Sequence, residues 1–234
     1  MYLAPVQTAP GCARSGFVGL VDRGTKRAFD IAVSLTLLLF LSPVILGCAI
    51  VIRLESPGPA FYRARRVGHG GRDLFVLKFR KMADDAGGQP LTGDVDPRFT
   101  RIGRFLSRAK LDELPQLWNV LRGGMSFVGP RPEDSRFVAL HEREYREIVS
   151  VRPGVTGLCQ LAFAREAEIL DPEDRLGHYV DAILPQKVAL DQLYVSSRTF
   201  GGDVKILTWT ILPLIVRVEV AVDRKSGALT MRRR

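Results

Sequence analysis

The chain has 234 residues, with 34 Lys and Arg against 25 Asp and Glu, a formal net charge of +9. That length suits one domain, or one domain with an attachment segment, and a hydrophobic content of 46% excludes a wholly disordered protein. Three scattered cysteines and three distant histidines argue against a disulfide scaffold or a His-rich metal site, and favour a reducing, cytosol-facing compartment.

Residues 1–20 hold Pro5, Pro10, Gly11 and Gly16 without periodicity and read as poorly ordered. The first element is Ile31–Ile52, 22 residues without a charge. As a straight helix it reaches about 33 Å, enough for a bilayer core. It starts too late and runs too long for a typical cleaved signal peptide. Arg23, Lys26 and Arg27 precede it, and Arg53, Arg63, Arg65 and Arg66 follow, so the positive-inside rule puts both flanks on the cytoplasmic side. Ser42-Pro43 lies at its middle, where proline removes a backbone donor and favours a bend. A bent, re-entrant helix that enters and leaves on one face reconciles flanks and proline; a simple spanning helix that tolerates the proline is the alternative.

Glu55-Ser56-Pro57-Gly58-Pro59 ends this helix. Phe61-Tyr62-Arg63 and Leu74–Phe79 are β-prone and separated by Gly68-His69-Gly70-Gly71, which predicts a hairpin. Residues 83–97 read as a loop. Helical periodicity covers Arg101–Arg108 and Leu114–Leu121, with Gly123-Gly124 as the stop, and returns over Glu133–Val149 and Pro172–Tyr194. Ile206–Val216 is apolar but too short to cross a bilayer; it reads either as an interfacial helix or as a core helix. Residues 223–234 read as a disordered basic tail. The expected fold class is α+β and mostly helical, divided into a segment 1–22, a membrane helix 23–55, a catalytic domain 56–216 and a tail 217–234.

Residues 53–131 carry fifteen basic against eight acidic groups, and residues 217–234 six against two. Such a surface suits nucleic acid, anionic lipid or phosphorylated small molecules, and charge alone does not choose. The central segment Ala109–Pro132 is more specific. Pro115 fits a first helical turn, so Asp112 and Glu113 sit at or just before a helix N-terminus. Asp112 is either a plain N-cap or, with Glu113, half of a carboxylate pair able to hold one Mg²⁺ shared with substrate phosphates. Gly129-Pro130-Arg131-Pro132 sets a guanidinium on a stiff turn, suited to bidentate phosphate binding; the alternative is a connector with a solvated charge. Lys78 and Arg80 fall on one face of the second strand, as a cationic wall for a nucleotide diphosphate or as protection of a strand edge. No Walker pattern, G-x-G-x-x-G or G-x-S-x-G occurs.

These residues resemble the bacterial sugar transferases, the monotopic phosphoglycosyl transferases that load a sugar phosphate onto polyprenyl phosphate. The resemblance runs from Lys26-Arg27-Ala28-Phe29-Asp30 to about Leu212. It is carried by Leu41-Ser42-Pro43, Ser56-Pro57-Gly58-Pro59, Lys78-Phe79-Arg80, Asp96-Pro97-Arg98, Leu111 to Val120, Val128 to Glu133, and Arg152 to Leu158. It implies a re-entrant helix broken at Ser42-Pro43, which holds the domain on the cytoplasmic face of the bacterial inner membrane, with interfacial amphipathic helices. It implies Asp112 as nucleophile, Glu113 as its partner, Mg²⁺ as cofactor held by both, and Lys78, Arg80, Arg131 and Asp191 as substrate-binding residues. The implied partners are a UDP-sugar, a polyprenyl phosphate and the bilayer, with no nucleic acid and a homo-oligomer left open. Lys81, Lys110 and Cys159 depart from the family pattern, and Ala162–Val180 matches little of it. A membrane-anchored basic module for anionic lipid or nucleic acid is the competing reading, although the aromatic residues form no interleaved stacking surface.

Overall fold

The structure, a computed structural model, describes residues 16–83, 96–216, 218–224 and 226–233. The loop expected at 83–97 therefore lies almost wholly outside the described residues, as do residues 1–15; residues 16–20 already belong to a helix.

Helix α1 runs Gly16–Glu55 and continues through Pro43 without an interruption. The expected break at Ser42-Pro43 is thus not a loss of helix. Pro43 has no N–H to give the Leu39 carbonyl, and the Ser42 hydroxyl donates to that oxygen instead at 2.8 Å. The side chains of Leu35, Leu39, Phe40, Leu46, Ile50 and Leu54 are exposed. Among the described residues, Gly24–Glu55 is the one stretch long and apolar enough to cross a membrane.

The hairpin forms where the pattern places it. Strands β1 (Phe61–Val67) and β2 (Asp73–Phe79) pair antiparallel, with Tyr62 opposite Lys78 and Ala64 opposite Val76. Helix α2 (Arg101–Arg108) is capped by the Thr100 hydroxyl, which accepts from Gly103 N at 3.0 Å. The Glu55 carboxylate, at the end of α1, accepts from Arg101 N and Ile102 N and satisfies two more free amides. Lys110 then takes a left-handed conformation (φ 56°), which ends α2 before a tight turn Leu111–Glu113. Helix α3 (Gln116–Arg122) follows Pro115 and stops at Gly123, whose φ of +84° suits glycine.

Short β3 (Ser126–Val128) is followed by α4 (Ser135–Val138) and α5 (Glu142–Ile148), in place of one helix over Glu133–Val149. Strand β4 (Gly154–Thr156) pairs parallel to β3, a contact that no local pattern announces. Then come α6 (Leu158–Ala162), α7 (Glu166–Ile169), α8 (Arg175–His178), α9 (Leu184–Ser197) and α10 (Phe200–Ile215). Helix α10 packs as its core reading expects, with Ile206 buried, while Val204 and Ile211 are exposed. The end of the chain differs from expectation. Strands β5 (Val218–Val222) and β6 (Leu229–Arg233) form an antiparallel hairpin, because alternating Val218, Val220 and Val222 outweigh the charge of the segment.

The main core gathers Leu74, Val76, Val120, Met125, Val128, Tyr179, Leu184 and Leu190 around β3 and α9. A smaller cluster of Ile52, Ala60, Phe79 and Leu106 joins the end of α1 to the hairpin and α2. Polar groups fasten the root of α1 to this core. Arg27 donates to the Val120 and Leu121 carbonyls at 2.7 and 2.8 Å, covering the open C-terminal end of α3. Asp30 accepts from Phe127 N, and Lys26 reaches Asp203, Tyr194 and the Val128 carbonyl.

Candidate active site

The dyad sits in the turn between α2 and α3, with Asp112 almost fully buried (3% exposed). Asn119 of α3 fixes this turn against the hairpin: its side-chain amide accepts from Leu77 N at 2.9 Å and donates to the Phe75 carbonyl at 2.8 Å, as an extra strand would. That docking brings Lys78 to Glu113, Nζ to Oε1 at 2.9 Å. Asp112 caps no helix; α3 begins after Pro115 without a side-chain cap. Instead Asp112 Oδ2 pairs with Lys81 Nζ at 3.0 Å.

The Gly129-Pro130-Arg131-Pro132 turn is held from below by backbone bonds, Gly154 N to the Pro130 carbonyl at 2.8 Å and Gly129 N to the Thr156 carbonyl at 3.0 Å. It directs Arg131 into a polar cleft of about 160 Å³ shared with Lys78, Glu113, Glu133, Glu166 and Lys187. Among the described residues no hydrogen bond or ion pair engages the Arg131 guanidinium, although Glu113, Glu166 and Glu133 are near enough to keep it protonated against the opposing effect of burial. Burial alone would raise the Glu113 carboxyl; Lys78, Arg131 and Lys110 outweigh it and hold the group at about 2, against an ordinary 4.5. Burial, with Arg131 nearby, lowers Lys78 in spite of its carboxylate partner. The cleft thus holds Glu113 ionised among the cations Lys78, Arg131 and Lys187.

Two of the expected substrate-binding residues, Arg80 and Asp191, are not among those that line this cleft. Arg80 is buried and turned from the cleft, donating to the carbonyls of Pro57 and Ser56 and to the Ser56 hydroxyl. It bonds the segment that ends α1, because β2 ends at Phe79 and the alternation of Lys78 and Arg80 ends with it. Asp191 is buried in α9, where burial pushes its carboxyl well up and the Arg131 backbone N–H works against that. It supports the turn from behind, and its Oδ1 has no partner among the described residues.

Other groups in the cleft carried no strong sequence signal. Tyr179 donates to Glu133 at 2.7 Å, Lys187 donates to Tyr179 at 3.1 Å, and Lys187 pairs with Glu166 at 2.5 Å. Lys187 could have been found: it shares the buried face of α9 with Leu184, Val188, Leu190 and Asp191, where a lysine needs a partner. Glu166 and Tyr179 reach the site only through the fold.

For a metal, no group of three or more His, Cys, Asp and Glu clusters among the described residues. Asp112 and Glu113 nevertheless fit the sparser need of Mg²⁺, one or two carboxylates with substrate phosphates and water completing the shell.

Residues 21–217 match the family model for the bacterial sugar transferases. The chain is 39% identical over 206 residues to the exopolysaccharide production protein PSS of Rhizobium leguminosarum bv. phaseoli, covering 84% of this chain and 98% of that one. It is 36% identical over 201 residues to the UDP-glucose:undecaprenyl-phosphate glucose-1-phosphate transferase of Escherichia coli K12, covering 82% of this chain and 40% of the relative. It is 39% identical over 177 residues to the UDP-N-acetylgalactosamine-undecaprenyl-phosphate N-acetylgalactosaminephosphotransferase of Aeromonas hydrophila, covering 73% of this chain and 41% of the relative. The chain therefore spans about two fifths of the length of the last two. With its dyad, its cationic cleft and a family match over most of its length, the chain belongs to the bacterial sugar transferase family.

Proposed function

We propose that the chain is a phosphoglycosyl transferase that moves a sugar-1-phosphate from a UDP-sugar to a membrane polyprenyl phosphate of the undecaprenyl type. The observation that carries this reading is a buried carboxylate, Asp112, beside Glu113, which lines a cleft where the Arg131 guanidinium has no hydrogen-bond or ion-pair partner among the described residues. The names of the relatives support the donor and acceptor classes, with glucose and N-acetylgalactosamine among their sugars. The name of the Rhizobium relative supports exopolysaccharide assembly as the fate of the product.

In the first half-reaction one Asp112 oxygen attacks the sugar-bearing phosphorus. The bond from that phosphorus to the bridging oxygen breaks, and its electron pair leaves with UMP. In the second, an oxygen of polyprenyl phosphate attacks the same phosphorus, the acyl–phosphate bond breaks, and the Asp112 carboxylate returns. An anion attacking an anionic phosphorus needs its repulsion cancelled, which Arg131 and Lys78 do from fixed positions. Glu113 keeps Lys78 in place. Mg²⁺ bound by Asp112 and Glu113 would add Lewis-acid polarisation of the phosphoryl oxygens. The covalent step lets the water-soluble nucleotide leave before the lipid arrives.

We place α1 as a re-entrant helix on the cytoplasmic face of the inner membrane, supported by the basic groups at both its ends, the mid-run proline and the exposed apolar side chains. External labelling in sealed cells of a cysteine introduced at Thr8 would replace it with a spanning helix.

The test of the chemistry is UMP release by membrane-bound protein supplied with a UDP-sugar. Asp112→Asn is expected to lower the rate by at least about 10³-fold and to abolish the phosphosugar adduct in intact-mass spectra. Unchanged release by that variant overturns the assignment of the nucleophile.

A further inference from the structure

Lys81 was notable in the sequence only as a departure from the family pattern, yet it makes the closest charged contact to Asp112, at 3.0 Å. Its position does not depend on a substrate. Its carbonyl accepts from Thr100 N at 3.0 Å, and Gly103 of α2 packs so tightly on that carbonyl that a Cβ there would lie 2.0 Å from the oxygen. The ammonium is placed further by the Ser107 hydroxyl at 3.4 Å and the Phe99 ring at 5.7 Å. Glu113 has its own ammonium, Lys78 at 2.9 Å, with Arg131 and Lys110 close by. Before any substrate arrives, each carboxylate of the dyad already has an ammonium partner, with which a free dication must compete.

We propose that Lys81 is a built-in counter-ion of the Asp112 carboxylate that competes with divalent cations for it, so that metal enters with the nucleotide diphosphate instead of being held in advance. Its meaning for the reaction rests on Asp112 as the nucleophile. The incoming phosphates offer Lys81 a second anionic partner, and its shift toward them frees the carboxylate for metal and for attack.

The measurement is Mn²⁺ binding, by electron paramagnetic resonance, to the full chain in detergent or nanodiscs without nucleotide. Lys81→Thr is expected to bind Mn²⁺ about tenfold more tightly than wild type, the order expected when one charge at contact distance is removed from a partly solvated site. Lys81→Gln keeps a long stem without the charge and should tighten binding likewise, which covers the case in which the threonine variant does not fold. Lys81→Arg should match wild type, adding Asp112→Asn to Lys81→Thr should erase the gain, and UDP should narrow the gap between wild type and Lys81→Thr. Equal or weaker Mn²⁺ binding by folded Lys81→Thr or Lys81→Gln overturns the proposal. None of these readouts needs turnover, so a failed nucleophile assignment would show in UMP release by Asp112→Asn while the Mn²⁺ result stood.

Discussion

At the root of α1, Lys26, Arg27 and Asp30 direct their charges at groups that cannot leave: backbone carbonyls of α3 and β3, a backbone N–H, and the buried pair Asp203 and Tyr194. In and beside the cleft, Lys78 pairs with Glu113, Lys81 pairs with Asp112, and the Arg131 guanidinium has no hydrogen-bond or ion-pair partner among the described residues. The carboxyls record the difference. Cations outweigh burial at Glu113 and hold it down, while burial outweighs Lys26 at Asp203 and pushes it up from 3.8. Both clusters lie in family motifs, so a motif by itself does not separate fastening from chemistry. What satisfies each charge does.

That contrast can be broken most directly at the root. Lys26→Met leaves the buried Asp203 carboxylate without its ammonium and should cost about 3 kcal/mol in thermal melting, with turnover unchanged at temperatures where the variant is folded. Asp203→Asn should cost less, since the Lys26 ammonium it leaves behind is a quarter exposed and keeps the Val128 carbonyl and the Tyr194 hydroxyl. If Lys26→Met instead lowers UMP release at full folding, the root takes part in the chemistry and the contrast fails. The cleft should behave in the opposite sense. Arg131→Met is expected to lower kcat/KM for the UDP-sugar by about 10²-fold with a modest change in melting. Arg131→Lys should recover only part of this, because an ammonium lacks the two-pronged fit to phosphate.

Arg80 sharpens the comparison, since it shares a motif with Lys78 but bonds like the root. Arg80→Met should cost about 1–2 kcal/mol of stability and leave KM for the UDP-sugar in place, whereas Lys78→Met should raise KM. The smallest effect is one of pH. A buried carboxyl with a raised pKa penalises the folded state above that pKa and is relieved as protonation proceeds below it. The melting deficit of Lys26→Met should therefore narrow as pH falls from 7.5 toward 4, through protonation of Asp203. A constant deficit would place the loss elsewhere than in the orphaned carboxylate.

Much of this protein was legible in its chain because the signals are local. Apolar length and absence of charge mark α1, alternation across a glycine turn marks β1 and β2, and Pro115 and Gly123 bound α3 within a residue or two. The adjacent Asp112 and Glu113 needed no fold to be noticed, and neither did the rigid turn that carries Arg131. Long-range pairing was not legible. The parallel contact of β3 with β4 joins segments 28 residues apart, Ser126 to Gly154, and each strand is too short to announce itself. Nor could sequence spacing show that Arg80 turns away at the end of β2, that Asp191 lies behind the Arg131 turn, or that Lys81 meets Asp112. A charge is written in the sequence, but its partner is chosen by packing: which side chain faces a carboxylate across 30 residues depends on how α2, α3 and the hairpin dock, and only the tertiary structure decides that.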